Sequence, residues 1–200
     1  MIKQTIIAIG REYGTGGHEI ARKLAAKLEY NFYDRDMLEQ ISKSKNMDLK
    51  EWVAYEKKVS NPLISKTALD FSNTMDDILA QMEFDFIREK AMSGESFVIV
   101  GRCAESVLRG NDNLVSVFLL GDDAFRISNV TKRFDISDSD AIAKIRRHDM
   151  SRKKYHNKYS KYNWGDSRSY DLTMNISRLT QEQVIETIIN YIRFRENSNN

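Results

Sequence analysis

Apolar residues occur in short runs separated by longer segments with helical spacing. The apolar runs cover residues 5–9 (TIIAI), 96–101 (SFVIVG) and 114–120 (LVSVFLL), and residues 170–176 give a fourth, weaker run. The Phe32-Tyr33 pair indicates one further, brief strand after the first helix. Continuous apolar runs of this length are typical of strands buried on both faces of a parallel sheet. The pattern therefore predicts a parallel sheet of about five strands.

Helical periodicity fills the segments between these strands. After the first strand, Ile20, Leu24 and Leu28 recur every fourth residue and form one apolar stripe. Further helices are predicted over about residues 65–92, 104–109, 123–134, 138–154 and 180–195. Ser137 with Asp140, and Thr180 with Gln183, have the spacing of helix-start capping residues. Strands that alternate with helices predict an α/β protein whose sheet is covered on both faces.

The composition is that of a single folded domain. Hydrophobic residues make up 41% and charged residues 30% of the 200-residue chain, which excludes a disordered, apolar-poor sequence. Pro62 is the only proline and no linker-like stretch is present, so we predict one domain over residues 1–195 and a frayed tail over 196–200. No stretch approaches the ~18 apolar residues of a membrane helix. The lone Cys103 predicts neither a disulfide nor a zinc cluster, and we expect a cytoplasmic protein.

Positive charge is concentrated in one segment. Residues 144–161 contain eight lysines and arginines and one aspartate, a formal charge of +7, whereas the whole chain carries +2. Such a segment can meet a polyanion, or it can be a solvated helix face. Tyrosines interleave with the basic residues, as in some nucleic-acid-binding surfaces, but a pI of about 8.5 is below that of most such domains. We do not expect nucleic acid as a partner.

A glycine-rich loop, GREYGTGGHE at residues 10–19, connects the first strand to the first helix. Glycines let the backbone adopt positive φ angles, so several N–H groups can converge where the helix N-terminus adds partial positive charge. A tight strand-to-helix turn is the alternative, but it does not require three glycines among residues 14–17. We interpret the loop as a phosphate cradle in which the following residues take part: Arg11, Gly14, Thr15, Gly16, Gly17 and His18.

The loop departs from the standard phosphate-binding pattern GxxxxGK[ST]. That pattern supplies a lysine for the β- and γ-phosphates and a hydroxyl for magnesium. Aligned on Gly14 and Gly16, this chain has Gly17 in place of the lysine, and His18-Glu19 where the hydroxyl would be. Arg11 or Arg22 could approach the phosphates from the flanks of the loop.

The string GREYGTGGHEIARKLA at residues 10–25 resembles the opening motif of the cytidylate kinase-like family, whose members commonly have this glycine loop without the lysine. Further family motifs follow in order and extend the resemblance over nearly the whole chain: Phe32-Tyr33-Asp34, Val100-Gly101-Arg102, Trp164-Gly165-Asp166 and Tyr170-Asp171-Leu172. The resemblance implies a three-layer P-loop kinase fold. It also implies a helical acceptor-side insertion over residues 46–92 and a basic lid over 137–162.

Three residues are candidates to bind the acceptor, and the resemblance implies the first of them. Arg102 follows the third strand, where cytidylate kinases have a Gly-Arg-Asp motif whose arginine grips the acceptor phosphate, and a planar guanidinium suits that contact. Cys103 stands in place of the aspartate of that motif, so recognition of the base does not carry over. Asp34 could orient the acceptor or a metal-bound water, or it could cap the following segment. Arg126 is a further candidate to bind the acceptor phosphate. For Arg102, the alternative is that it only forms an ion pair at the protein surface.

The lid segment implies the catalytic residues. Arg146 and Arg152 are the candidates to stabilise charge on the transferring phosphoryl group, with Asp149 orienting one of them. The expected ligands are nucleoside phosphates, with ATP and Mg²⁺ as cofactors, and the expected reaction is phosphoryl transfer to a nucleoside monophosphate such as CMP or dCMP. The missing lysine favours an alternative, a nucleotide-binding sensor without efficient transfer. The scattered His18, His148 and His156 predict no metal site.

Overall fold

A parallel five-stranded sheet forms the centre of the protein. We describe residues 4–34, 36 and 75–197 of a computed structural model. The strands are β1 (Ile6–Arg11), β2 (Asn31–Tyr33), β3 (Phe97–Val100), β4 (Leu114–Leu120) and β5 (Leu172–Asn175). Their lateral order is β2-β3-β1-β4-β5, and all four neighbouring pairs are parallel. The predicted sheet is therefore confirmed.

Helices cover both faces of this sheet, as the sequence predicted. The described helices are α1 (Gly17–Leu28), α2 (Met75–Met92), α3 (Ala104–Val107), α4 (Asp123–Phe134), α5 (Asp138–Tyr159) and α6 (Gln181–Asn197). On one face, α1 and α6 pack with Ile7, Val98 and Val117 in the larger hydrophobic core. On the other, α2 and α3 pack with Ile6 and Phe97 in a second core. The two cores make this a three-layer α/β fold.

The predicted helix starts at Ser137 and Thr180 are confirmed by their hydrogen bonds. The Asp140 N–H donates to the Ser137 hydroxyl at 3.2 Å. Thr180 and Gln183 form a reciprocal pair, since each backbone N–H donates to the other's side-chain oxygen. These contacts satisfy N–H groups that the first helical turn leaves without partners.

Strands β1, β3 and β5 differ from their predicted bounds by one or two residues at each end, and three helix ends also differ from the prediction. Helix α5 continues to Tyr159, five residues beyond the predicted end, and α6 reaches Asn197, so the first part of the predicted tail is helical. Helix α3 is shorter than predicted. Of the insertion predicted over residues 46–92, the part from residue 75 is helix α2, and residues 46–74 lie outside the described residues.

The strand order brings three loops to one edge of the sheet. Strand β1 lies between β3 and β4, so residues 12–16, 101–103 and 121–122 all follow the carboxyl ends of central strands. Ligands of open parallel α/β sheets bind at this edge. Among the described helices, none is both long and apolar enough to cross a membrane.

Candidate functional site

The glycine-rich loop has the backbone geometry of an anion cradle. Gly14 and Gly16 adopt left-handed φ angles of 88° and 76°. The Thr15 hydroxyl donates to the Glu12 carbonyl at 2.8 Å and accepts from the Gly17 N–H at 3.3 Å, which fixes the turn from inside. Within the described part of the chain, the N–H groups of Gly14, Thr15 and Gly16 have no acceptor. Backbone amides left open at a helix N-terminus are suited to bind phosphate oxygens.

This loop forms the floor of a cleft of about 540 Å³, which we call the loop cleft. The opposite walls come from the end of α4 and from the loop that leads into α6. The volume lies within the range of small-molecule sites. The walls combine apolar and polar side chains: Phe125, Asn129, Arg133, Phe134, Leu179, Thr180 and Gln181.

A second cleft, of about 280 Å³, lies beside the first at the end of β3, and we call it the β3 cleft. Its backbone is unusual, since Gly101, Arg102 and Cys103 all have φ angles between 53° and 77°. Left-handed backbone at non-glycine residues costs of the order of 1–3 kcal/mol each and concentrates at functional sites. Among the described residues the N–H groups of Arg102 and Cys103 have no acceptor, so they can also meet an anion.

Arg102 is held at the β3 cleft by a buried carboxylate. Its guanidinium lies 3.2 Å from Glu83 of α2, which is 1% exposed. The Tyr155 hydroxyl donates to the other Glu83 oxygen at 2.8 Å, and the tyrosine ring lies 5.6 Å from the guanidinium carbon. Burial raises the pKa of Glu83, and the charge of Arg102 and the tyrosine bond oppose that rise. The predicted acceptor arginine is therefore positioned by an ion pair at the cleft, with part of its side chain still accessible.

The inner face of α5 brings Arg152 and Asp149 to the loop. Arg152 lines both clefts, and its Nη1 donates to the Arg11 carbonyl at 3.1 Å. Asp149 Oδ1 accepts from the Tyr13 N–H at 2.7 Å and lies 3.9 Å from Arg152. His148 stacks on the Tyr13 ring with centroids 4.1 Å apart. Helix α5 is thus attached to the glycine loop at several points.

Arg126 lies in an ion-pair network on the α4 side of the loop. It bonds Asp149 at 2.7 Å and lies 3.4 Å from Glu12 and 3.3 Å from Asp123. It is 8% exposed and lines neither cleft. The structure thus places this predicted acceptor residue where it connects the loop to α5.

Two other arginines that the sequence analysis named as candidates to contact phosphates lie away from the clefts. Arg146 is exposed on α5 and lines neither of them. Arg22 is exposed on α1 and pairs with Glu19 at 2.7 Å. Arg11, by contrast, lines both clefts, and burial together with the charges of Arg152 and Arg102 lowers its pKa to about 9.

His18 and Asp34 form a pair beside the N-terminus of α1. Nε2 of His18 lies 2.8 Å from Asp34 Oδ2. Asp34 also accepts from the Asp36 N–H at 2.8 Å, as a turn-capping residue does. Burial acts to raise the pKa of Asp34, but the bonds from His18 and Asp36 and the charge of Arg11 outweigh it and hold that pKa below its ordinary value.

The residues fit a nucleotide polyphosphate better than a free metal ion. Open amides and partly buried arginines supply donors and positive charge, whereas no group of three or more metal-ligating side chains occurs in the described ranges. Mg²⁺ binds proteins mainly through one or two carboxylates together with substrate phosphates. Glu12 and Glu19, which line the loop cleft, and Asp34, which lies beside His18, are the carboxylates near the loop that could serve such an ion.

Sequence reasoning missed a second set of polar residues at the β3 cleft. Glu105 and His156, both almost fully buried, face each other at 2.6 Å. Glu83 and Tyr155 were also missed. A signal for Glu83 existed, because it falls on the same helical stripe as Leu79, Met82 and Phe86 and so places a carboxylate in an apolar face.

Comparisons with known proteins agree with this architecture. The profile of the cytidylate kinase-like family matches residues 6–178. The solved structure of an uncharacterised protein from Eubacterium ventriosum ATCC 27560 is 35% identical, with a TM-score of 0.75, over 95% of this chain and 99% of that one. No sequence among curated proteins matches significantly.

More distant structures share the fold alone. A gluconokinase from Sinorhizobium meliloti 1021 is 15% identical with a TM-score of 0.54, over 98% of this chain and 96% of that one. A shikimate kinase from Acinetobacter baumannii, solved with shikimate, is 14% identical with a TM-score of 0.50, over 96% of this chain and 93% of that one. The three-layer α/β fold of this chain is therefore the fold of P-loop kinases.

Proposed function

The chain belongs to the cytidylate kinase-like family, and on that premise we propose that it is an ATP-dependent kinase that phosphorylates a nucleoside monophosphate, with CMP and dCMP as the first acceptors to test. In this reaction the bond between the β,γ-bridging oxygen and the γ-phosphorus breaks. A new bond forms between that phosphorus and an oxygen of the acceptor phosphate, and ADP leaves.

The observation that carries the proposal is the meeting of two clefts at shared arginines. Arg11 and Arg152 line both the loop cleft and the β3 cleft. Phosphoryl transfer needs a donor and an acceptor in line, with positive charge on the oxygens between them, and little other help from the protein. A donor in the loop cleft and an acceptor in the β3 cleft would meet beside these two guanidinium groups.

Each cleft supplies groups suited to its substrate. The open amides of residues 14–16 would bind donor phosphates, and the base would lie toward the α4 wall near Phe134. Arg102, with the adjacent open amides, would hold the acceptor phosphate. Mg²⁺ held near Asp34, Glu12 or Glu19 would offset the negative charge of the donor phosphates.

The acceptor class needs a broad test because neighbours with the same fold differ in their acceptors. Purified protein is incubated with ATP and Mg²⁺ and with one acceptor at a time, and ADP is measured. The panel contains CMP, dCMP, UMP, AMP, shikimate and gluconate. We expect turnover with a pyrimidine monophosphate and not with the two hydroxy acids. Turnover with a hydroxy acid alone would refute the nucleotide acceptor while keeping the kinase.

A second candidate function is a nucleotide-binding sensor without efficient transfer. Gly17, at the lysine position of the standard pattern, is the observation that favours it. The two candidates differ in one measurement. Tight binding of ATP with no ADP formed above the protein-free rate, with any acceptor of the panel, would favour the sensor and exclude the kinase.

A further inference from the structure

Arg11 occupies the space in which a phosphate-binding lysine at position 17 would begin. A Cβ added to Gly17 would lie 2.9 Å from the Arg11 Cβ and 3.1 Å from its Cγ. Real Cβ atoms essentially never approach other carbons so closely. A side chain at position 17 therefore requires the stem of residue 11 to be shortened or displaced.

The far end of the same side chain reaches the β3 cleft. A Cβ on Gly101 would lie 2.5 Å from Arg11 Nη1, so the guanidinium rests directly against the Gly101 backbone. The side chain thus runs from the start of α1 to the carboxyl end of β3. It passes between the two clefts, both of which it lines.

The guanidinium of Arg11 lacks a counterion in the described part of the chain. It makes no ion pair and donates no hydrogen bond there, and its Nε is shielded from solvent. Two neighbouring arginines, Arg152 and Arg102, repel it more strongly than Asp34 or Asp149 attracts it. A partly buried cation without a partner is costly unless an anion joins it. The missing partner has the charge and position of a polyphosphate.

From these contacts we propose that Arg11 replaces the P-loop lysine and binds the β- and γ-phosphates of the donor from the strand side of the loop. This assignment rests on the proposed function and deepens it. The positive charge of the standard pattern is kept, but it has moved from the first turn of α1 to the last residue of β1. Gly17 is then a consequence of that exchange.

Arg11→Met is the first test, because it keeps the stem and removes the charge. Calorimetry measures binding of ATP with Mg²⁺ to the full chain, and melting temperatures are recorded with and without ATP. We expect Arg11→Met to weaken ATP binding about 10- to 100-fold, as for loss of charged hydrogen bonds. Without ATP it should melt at the wild-type temperature or above, because an unpaired cation is gone. The matched control, Arg193→Met on the exposed face of α6, should change neither quantity.

The outcomes separate this inference from the proposed function. If the wild type binds no ATP, the proposed function and the inference are both refuted. If Arg11→Met binds ATP as tightly as the wild type, only the inference is refuted. A lower melting temperature of Arg11→Met without ATP, combined with unchanged ATP binding, would show a purely structural arginine and overturn it as well.

A double variant that moves the positive charge from position 11 back to position 17 tests whether the arginine replaces the lysine. Arg11→Gly removes the Cβ and Cγ that block position 17 and leaves one tight contact, with Thr15 Oγ1 at 3.3 Å, so Gly17→Lys can be added with a small shift of that hydroxyl. We expect the double variant to bind ATP at least about tenfold more tightly than Arg11→Gly alone. Equal affinity of the two variants would overturn the claim that the arginine stands in for the lysine.

Discussion

Replacing Asp149 by asparagine should weaken the attachment of helix α5 to the glycine loop. The carboxylate accepts from the Tyr13 N–H and from Arg126, each at 2.7 Å, and its side chain is 17% exposed. An asparagine of the same size presents one oxygen and one NH₂ group. It can keep one of the two bonds, but its NH₂ group then faces the other donor.

The magnitude follows from what remains around Arg126. Removing one partner of a buried ion pair costs about 3–5 kcal/mol when the other charge is left alone. Arg126 keeps Glu12 at 3.4 Å and Asp123 at 3.3 Å, so it is not left alone. We therefore expect Asp149→Asn to lower the free energy of unfolding by about 2 kcal/mol, in the range of one lost hydrogen bond to a charged group.

Urea unfolding followed by circular dichroism measures this loss. Asp112→Asn, at an exposed carboxylate before β4, is the matched control and should stay within about 0.5 kcal/mol of the wild type. A double-mutant cycle with Arg126→Met should show a coupling free energy of at least about 1 kcal/mol. A loss below about 0.5 kcal/mol, or additive effects in the cycle, would refute the network as the attachment of α5.

Three further predictions concern other parts of the fold. Gly14→Ala should lower the free energy of unfolding by about 2–3 kcal/mol, because the new Cβ would lie 2.9 Å from a backbone carbonyl oxygen of α4. The control, Gly94→Ala, has a similar φ but lies in open space and should lower it by about 1 kcal/mol. Equal losses of the two variants in urea unfolding would contradict the steric argument. Burial and the positive charges of Arg152, Arg147 and Lys144 lower the pKa of His148 in the folded protein. As the pH falls below 6.5, the ordinary pKa of histidine, the unfolded chain therefore binds a proton at His148 before the folded protein does. The free energy of unfolding should then decrease with falling pH. A His148→Gln variant should show less of that loss in unfolding measured from about pH 8 to about pH 5, and an unchanged profile would contradict it. Burial, reinforced by Glu105 and Glu83, raises the pKa of the Cys103 thiol, so a thiol reagent should modify it much more slowly in the native protein than in urea; equal rates would contradict its burial.

The sheet was predictable because each strand carries its own signal. Apolar runs bounded by turns specify buried parallel strands locally, and β4 begins and ends at the predicted residues. Helix ends were less certain, since α5 gains its last turn from contacts with α2 that no local pattern encodes. Tyr159 at that end packs on Phe84 and bonds Asp77.

The candidate site was predictable as a region and less so as individual side chains. The glycine loop and Arg102 follow strands, so topology alone brings them to one edge. Along α5, however, net charge did not tell which arginines face inward. Helical spacing does: Ile145, Asp149, Arg152 and His156 recur every three or four residues on the inner face, and Arg146 falls off that stripe.

Helix α5 makes the two clefts mechanically dependent on each other. On the loop side, Asp149 and Arg152 bond backbone groups of the glycine loop. About one turn later, Tyr155 and His156 bond carboxylates beside the β3 cleft. One helix carries both sets, so we expect a ligand that displaces α5 at one cleft to change the contacts at the other. By linkage, such coupling between ATP and an acceptor would alter both dissociation constants by the same factor, and a dissociation constant for ATP that is unchanged by saturating acceptor would contradict it.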